Sequence, residues 1–327
     1  MSRVTVRLAP GLVLLQLCIG AALAETPENE ALWWLQKIAN AARQQNYDGT
    51  FVYQHGDQSE TSRITHFADR SGEYEKLGTL DGPKREIIRN NTQILTFDVE
   101  HHVVKRQKRA QHKAFPALLP DQLSHLTEYY QLRKGGQERI AGFDSQALVL
   151  EPRDVFRYGH KLWADMKSGL LLRARMLDER NQIVEQFAFT QLIIGSKVTR
   201  ESVRSSYNAE DPIWTVVSEG QDPATQADTG WAVKNQPAGF KMIMEMKRFK
   251  PGGQAPVAHL VYSDGLAAVS VFIEPLPIKR KFQEGLTHQG AVNIYTRPLP
   301  EQLVTVLGEA PAVTVKQMAD SVSPRGQ

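Results

Sequence analysis

The run Tyr47-Asp48-Gly49-Thr50-Phe51-Val52-Tyr53 and its answering run Leu80-Asp81-Gly82-Pro83-Lys84-Arg85-Glu86-Ile87-Ile88-Arg89 decide the fold. In each, a glycine-containing turn leads into β-branched, aromatic and alternating charged residues, the pattern of a turn followed by a strand. From residue 49 to about 204 the same habit persists, with strands expected at 50–55, 62–67, 86–89, 93–97, 147–150, 158–164, 170–177 and 183–194. The intervening turns, such as Asp69-Arg70-Ser71-Gly72 and Met166-Lys167-Ser168-Gly169, are too short for helical crossovers. Neighbouring strands should therefore pair antiparallel, giving a β-meander. A helical interruption is expected within 116–132, where Leu119, Leu123 and Leu126 could line one face. A long meander with few helices has two outcomes, a sandwich or one curved sheet wrapped around its helices. Periodicity does not choose between them, but the second would leave a concave apolar surface.

Upstream of the first strand, Thr26-Pro27 is an N-cap followed by proline at the first helical position. Ala31, Trp34, Leu35, Ile38, Ala39 and Ala42 then recur at helical spacing, so one amphipathic helix should dock on the sheet. Trp33 and Trp34 could instead form an exposed lipid contact; docking is the commoner use of such residues. The first 24 residues read as a secretory signal: Arg3 and Arg7, an apolar stretch over 8–23, and an Ala22-Leu23-Ala24 ending. An uncleaved anchor fits less well, because the stretch is short and Pro10, Gly11, Gln16 and Gly20 interrupt it. The only cysteine, Cys18, lies inside this segment. The mature chain would thus have no disulfide, thiolate ligand or thiol nucleophile, which suits an oxidising compartment such as the periplasm. Removing Arg3 and Arg7 from 39 basic residues leaves 37 against 36 acidic ones, so no global charge argues for nucleic acid.

Downstream, the hydrophobic pattern lapses and prolines appear, so residues 207–229 read as a linker between domains at 25–206 and 230–327. Phe240, Met242, Met244 and Met246 alternate with charged residues as a strand with one apolar face. His259 to Leu266 forms a hairpin around Asp264-Gly265 and runs on into 269–273; strands at 290–296 and 303–307 follow. Val315, Met318, Ala319 and Val322 keep helical spacing after Pro311, so a helix should close a small α+β domain. The fold class expected is α+β and mostly antiparallel: a large N-terminal curved half-barrel sheet with helices plus that small domain.

The chemistry points away from an enzyme. No Gly-rich phosphate loop, Gly-x-Ser-x-Gly elbow or His-Glu-x-x-His is present, and no cofactor is implied. His101-His102 are adjacent, which on a strand sends them to opposite faces and prevents chelation of one ion. One cationic run stands out: no acidic residue lies from His101 to Lys113, while Lys105, Arg106, Lys108 and Arg109 do. It reads either as a solvated hairpin or mobile loop, or as a contact for lipid phosphates or acidic partner side chains.

These runs together resemble the MucB/RseB family of periplasmic negative regulators of the sigma-E (AlgU-type) envelope-stress response. The resemblance rests on 47–53 and 80–89, and on Arg153-Asp154-Val155-Phe156-Arg157-Tyr158-Gly159-His160-Lys161-Leu162-Trp163. It continues through 168–172, 185–187, Gly230-Trp231, Pro237-Ala238-Gly239-Phe240 and Val261-Tyr262-Ser263-Asp264-Gly265; Lys76 is a small departure. It implies a lipoprotein-carrier-like lipid-sensing domain and a small partner-binding domain. Such a protein would hold the periplasmic domain of an inner-membrane anti-sigma factor, protect it from the site-one protease, and release it on sensing lipid or lipopolysaccharide. A homo-oligomer is compatible with this reading, nucleic acid is not, and the alternative is a periplasmic lipoprotein or lipid carrier. Contacts for lipid or partner are then expected at Lys105, Arg106, Lys108, Arg109, Phe51, Tyr53, Trp163, Met242 and Met244.

Overall fold

In a computed structural model, residues 27–108, 119, 123–195, 197–219, 225–226, 228–249, 256–276 and 283–326 are described. The expected signal at 1–24 and Arg109 of the cationic run lie outside them. No described helix is long and apolar enough to cross a membrane.

Helix α1 (Pro27–Gln44) forms where the apolar spacing demands it and buries Ala31, Trp34, Leu35 and Ile38. Trp34 is docked while Trp33 is 57% exposed, packing edge-on against it. The chain then builds β1 (Tyr47–His55), β2 (Gln58–Asp69), β3 (Gly72–Thr79), β4 (Arg85–Arg89), β5 (Gln93–Asp98) and β6 (Val103–Lys108). After a short helix α2 (Leu126–Tyr129) come β7 (Tyr130–Ile140), β8 (Phe143–Pro152), β9 (Gly159–Asp165), β10 (Leu171–Leu177), β11 (Ile183–Ile194) and β12 (Thr215–Glu219). They make one sheet in the order β12-β6-β5-β4-β3-β2-β1-β11-β10-β9-β8-β7. Two meanders thus run outward from the central β1–β11 ladder. Strand β12, parallel to β6, is the exception to an otherwise antiparallel sheet.

One face of this curved sheet carries the core. Tyr47, Phe51, Ile64, Leu148, Leu150, Leu162, Phe187 and Phe189 pack there with α1 and with Leu119, Leu123 and Leu126. That face is called inner below. Helix α1 touches both β2 and β7, six strand steps apart. Its length of about 27 Å matches the roughly 29 Å those steps span, so it covers this half of the sheet. The opening motif works through Gly49, where a Cβ would stand 2.8 Å from the Gln191 carbonyl oxygen and from the Phe189 ring. Gly49 therefore permits the close approach of β1 to β11, beside the bulge at Thr50/Phe51. Gly49→Val is expected to cost about 2–3 kcal/mol; an unchanged denaturant midpoint would contradict this account of the ladder.

Several strands escaped the sequence reading. Residues 103–108 of the cationic run form β6, with Val104 fully buried under Trp214 beside Phe97 and Tyr207. His101 and His102 occupy the turn before β6 rather than a strand, with His102 at φ 53°. Residues 207–219, expected within the linker, pack Tyr207 and Trp214 against Phe97 at 5.5 and 5.3 Å between ring centroids and then add β12 to the sheet. Two aromatic rings dock the segment although prolines and acids dilute the pattern around them, and Val216 and Val217 of β12 stay exposed.

The second lobe contains β13 (Thr225–Gln226), β14 (Trp231–Val233), β15 (Lys241–Phe249), β16 (Pro256–Ser263) and β17 (Ala268–Pro275). It continues with β18 (Gly285–Gln289), β19 (Val292–Pro298), β20 (Gln302–Gly308), α3 (Ala312–Asp320) and β21 (Val322–Pro324). Seven of these strands form a sheet in the order β13-β15-β16-β17-β20-β19-β18. Val315, Met318 and Ala319 of α3 cover Val269, Val271, Val304 and Val306, a core separate from that of the large sheet. On β15 the expected single apolar face is interrupted: a bulge between Met242 and Met244 leaves Met242 and Ile243 exposed.

Candidate functional site

The two lobes meet at a buried ionic joint. Arg157 lies in the loop between β8 and β9, and Asp264 in the hairpin loop between β16 and β17; both side chains are 0% exposed. Each guanidinium nitrogen donates one bond: Nη1 to Asp264 Oδ2 at 3.2 Å, Nη2 to the Ala238 carbonyl at 2.6 Å, and Nε to Asp154 Oδ1 at 3.0 Å. Asp264 is equally occupied, since Oδ2 also accepts from the Tyr130 hydroxyl at 3.3 Å and Oδ1 from the Leu266 and Ala267 amides. Burial, and the Asp264 charge after it, push the Tyr130 hydroxyl well above its ordinary pKa, so it stays a donor. Tyr129, Phe240 and Tyr130 enclose the guanidinium at 4.7, 5.4 and 5.8 Å from its carbon to the ring centroids. Gly239, at φ +90°, allows this enclosure, because a Cβ there would sit 2.7 Å from the Tyr129 ring. Around the joint, Thr314 donates to the Phe156 carbonyl at 2.7 Å and Asn293 to the Tyr158 hydroxyl at 2.9 Å.

Next to the joint is a cavity of about 90 Å³. Its walls are Tyr53, Leu150, His160, Leu162, Ala174 and Phe187 from the inner face, with Leu119. Leu266 and the exposed Glu309 of the second lobe complete the lining. Glu185 on β11 gives the chamber a polar end. Among the described residues no group of His, Cys, Asp and Glu could hold a metal ion.

The residues expected to touch lipid or partner are scattered by this geometry. Tyr53 lines the cavity, and Phe51, two residues earlier on the same face, is buried in the core beneath. Trp163 alternates with Leu162 and so faces outward, fully buried, with the ammonium of Lys161 and the guanidinium carbons of Arg173 and Arg175 at 4.6, 5.3 and 5.3 Å from its ring centroid. Strand alternation splits the cations too: Lys105 emerges on one face, Arg106 and Lys108 on the other, and Arg106 pairs with Glu210 at 3.1 Å. Met242 and Met244 lie on β15, on the sheet of the second lobe. Arg157, Asp264, Tyr130, Glu185 and Glu309 were missed. A signal existed for the first two, since the 153–163, 237–240 and 261–265 runs that carried the resemblance supply the joint.

A large antiparallel sheet, a smaller α+β lobe clamped to it and a small chamber at the seam define a class of two-lobed β-rich proteins. The MucB/RseB N-terminal domain profile matches residues 30–207 and the MucB/RseB C-terminal domain profile matches 225–323. The chain belongs to the MucB/RseB family. It is 31% identical over 319 residues to the sigma factor AlgU regulatory protein MucB of Pseudomonas aeruginosa, covering 95% of this chain and 96% of that one. The sigma-E factor regulatory protein RseB of Escherichia coli K12 is 26% identical over 315 residues, 96% of each chain. A complex of Pseudomonas aeruginosa MucA and MucB superposes with TM-score 0.74 at 31% identity, covering 91% of this chain and 100% of that chain. A crystal structure described as MucB superposes with TM-score 0.61 at 29% identity, over 90% and 98%.

Proposed function

We propose that this chain is a periplasmic regulator of an envelope-stress sigma factor that binds the periplasmic segment of a membrane anti-sigma factor. Bound there, it shields the segment from the site-one protease and lets go when lipid or lipopolysaccharide enters the seam. The observation that carries this reading is its near full-length likeness to MucB, including MucB in complex with MucA. The better superposition on that complex than on the structure described as MucB supports lobes disposed as in a partner-carrying form.

The geometry supplies a physical account of release. Sites for drug-sized ligands occupy about 300–1,000 Å³, whereas this chamber has about 90 Å³. Moving Leu266 and Glu309 off the inner face, as the lobes part, would enlarge it for an acyl chain. Lipid then binds the parted form and the anti-sigma segment the joined form, and that difference in affinity is what a population shift requires. Replacing Lys105, Arg106, Lys108 and Arg109 together by serine should weaken lipopolysaccharide-dependent release by up to roughly a thousandfold, since about 1 kcal/mol per cation near anionic headgroups sums to about 4 kcal/mol. An unchanged dose curve would remove the cationic strand from the sensing step.

A further inference from the structure

Strand β15 carries a methionine at every second position of Met242-Ile243-Met244-Glu245-Met246. The bulge after Met242 divides them. Met242 pairs with Tyr262, whose ring belongs to the core under α3, whereas Met244 and Met246 pair with Val261 and His259. Met244, Met246 and His259 therefore share the face of the second sheet turned away from α3. Directly opposed strand positions stand about 5 Å apart at Cβ and alternate positions on one strand about 7 Å, so two flexible thioethers and the imidazole can converge on one point.

His259 is only 5% exposed, and its ring lies flat against Phe272 with centroids 4.1 Å apart. Its Nε2 stands 3.2 Å from Ser270 Oγ, while Nδ1 is buried with no hydrogen-bond partner among the described residues. Burial, and the Arg248 charge after it, bring the ring from 6.5 down to about 4, so it is neutral. A neutral imidazole whose Nε2–H donates to the serine hydroxyl has the Nδ1 lone pair to give. The Met246 sulfur already acts as an acceptor, taking a bond from Arg248 Nε at 3.3 Å.

We propose that Met244, Met246 and His259 form a binding site for a soft monovalent cation, Cu(I), with the two thioether sulfurs and His259 Nδ1 as ligands. Thioethers favour Cu(I) over harder cations, and imidazole completes the set. Arg248 has to leave the Met246 sulfur as the ion arrives, and its exposed side chain has solvent to move into. An apolar docking stripe would account for the methionines, but not for a buried imidazole nitrogen left without a partner on the same face.

Anaerobic titration of the full mature chain with Cu(I) against a chromophoric chelator, with X-ray absorption of the loaded protein, tests this. One ion per chain and a shell of two sulfurs and one nitrogen are expected. Leucine keeps the volume of methionine without its sulfur. Met244→Leu and Met246→Leu should therefore each weaken binding at least about tenfold with the fold intact, and His259→Leu should remove the nitrogen from the shell. Met242→Leu, beyond the bulge, should leave the affinity unchanged. A wild type that binds no Cu(I), a Met246→Leu variant with wild-type affinity, or equal losses in Met242→Leu and Met246→Leu would each overturn the site. Neither the anti-sigma segment nor lipid takes part, so this outcome is independent of the regulator reading.

Discussion

Arg157→Ala is expected to destabilise the joined state by about 3–5 kcal/mol, the cost of leaving a buried charge without its partner. The loss falls on three acceptors at once, the Asp264 carboxylate, the Ala238 carbonyl and the Asp154 carboxylate. It also removes the group around which Tyr129 and Phe240 pack. Because each lobe has a separate core, the expected result is two lobes that remain folded but unfold in separate transitions, with early proteolysis between 219 and 228. Affinity for the anti-sigma segment should fall in parallel. The Arg157→Met, Asp264→Leu double variant should recover part of the stability, since it removes both charges rather than stranding one. A single cooperative transition at the wild-type midpoint in Arg157→Ala would show that the joint does not hold the lobes.

Residues 229–327 expressed alone should fold, yet bind the anti-sigma segment at least about a hundredfold more weakly than the whole chain, because part of the binding energy belongs to the large lobe. Such a drop corresponds to roughly 2.7 kcal/mol. Folding alone follows from the second core, where Val271, Val306, Val315 and Met318 are buried without help from the large sheet. The joint contributes the weakening: without Arg157, Asp264 loses its cation and Leu266 loses the apolar face it covers. Full-strength binding by this fragment would place the whole contact surface on the second lobe.

Legibility in the sequence followed how local the determining forces are. Strand alternation with short turns revealed β1, β2, β4, β5 and β8 to β11, and helical spacing revealed α1 and α3, because period and turn chemistry lie within a few residues of each other. Strand β6 was hidden because its charges looked solvated, whereas Val104 alone secures it beneath Trp214, more than a hundred positions away. The same distance concealed β12, which has few neighbours to pattern against. At the seam, Asp264 was legible as a turn residue through its bonds to the next amides, while its pairing with Arg157 is a contact across 107 positions. The face taken by Trp163 was not legible: a large aromatic in a strand does not announce its side, and one residue of register exchanges the inner face for the outer.

The most direct measurement is crosslinking of the mature protein in its own periplasm, followed by mass spectrometry of the captured chains. The account predicts recovery of one single-pass inner-membrane protein with a cytoplasmic sigma-binding domain, crosslinked through its periplasmic segment to both lobes. Recovery of many acylated outer-membrane proteins and no such partner would contradict it and make the chain a carrier.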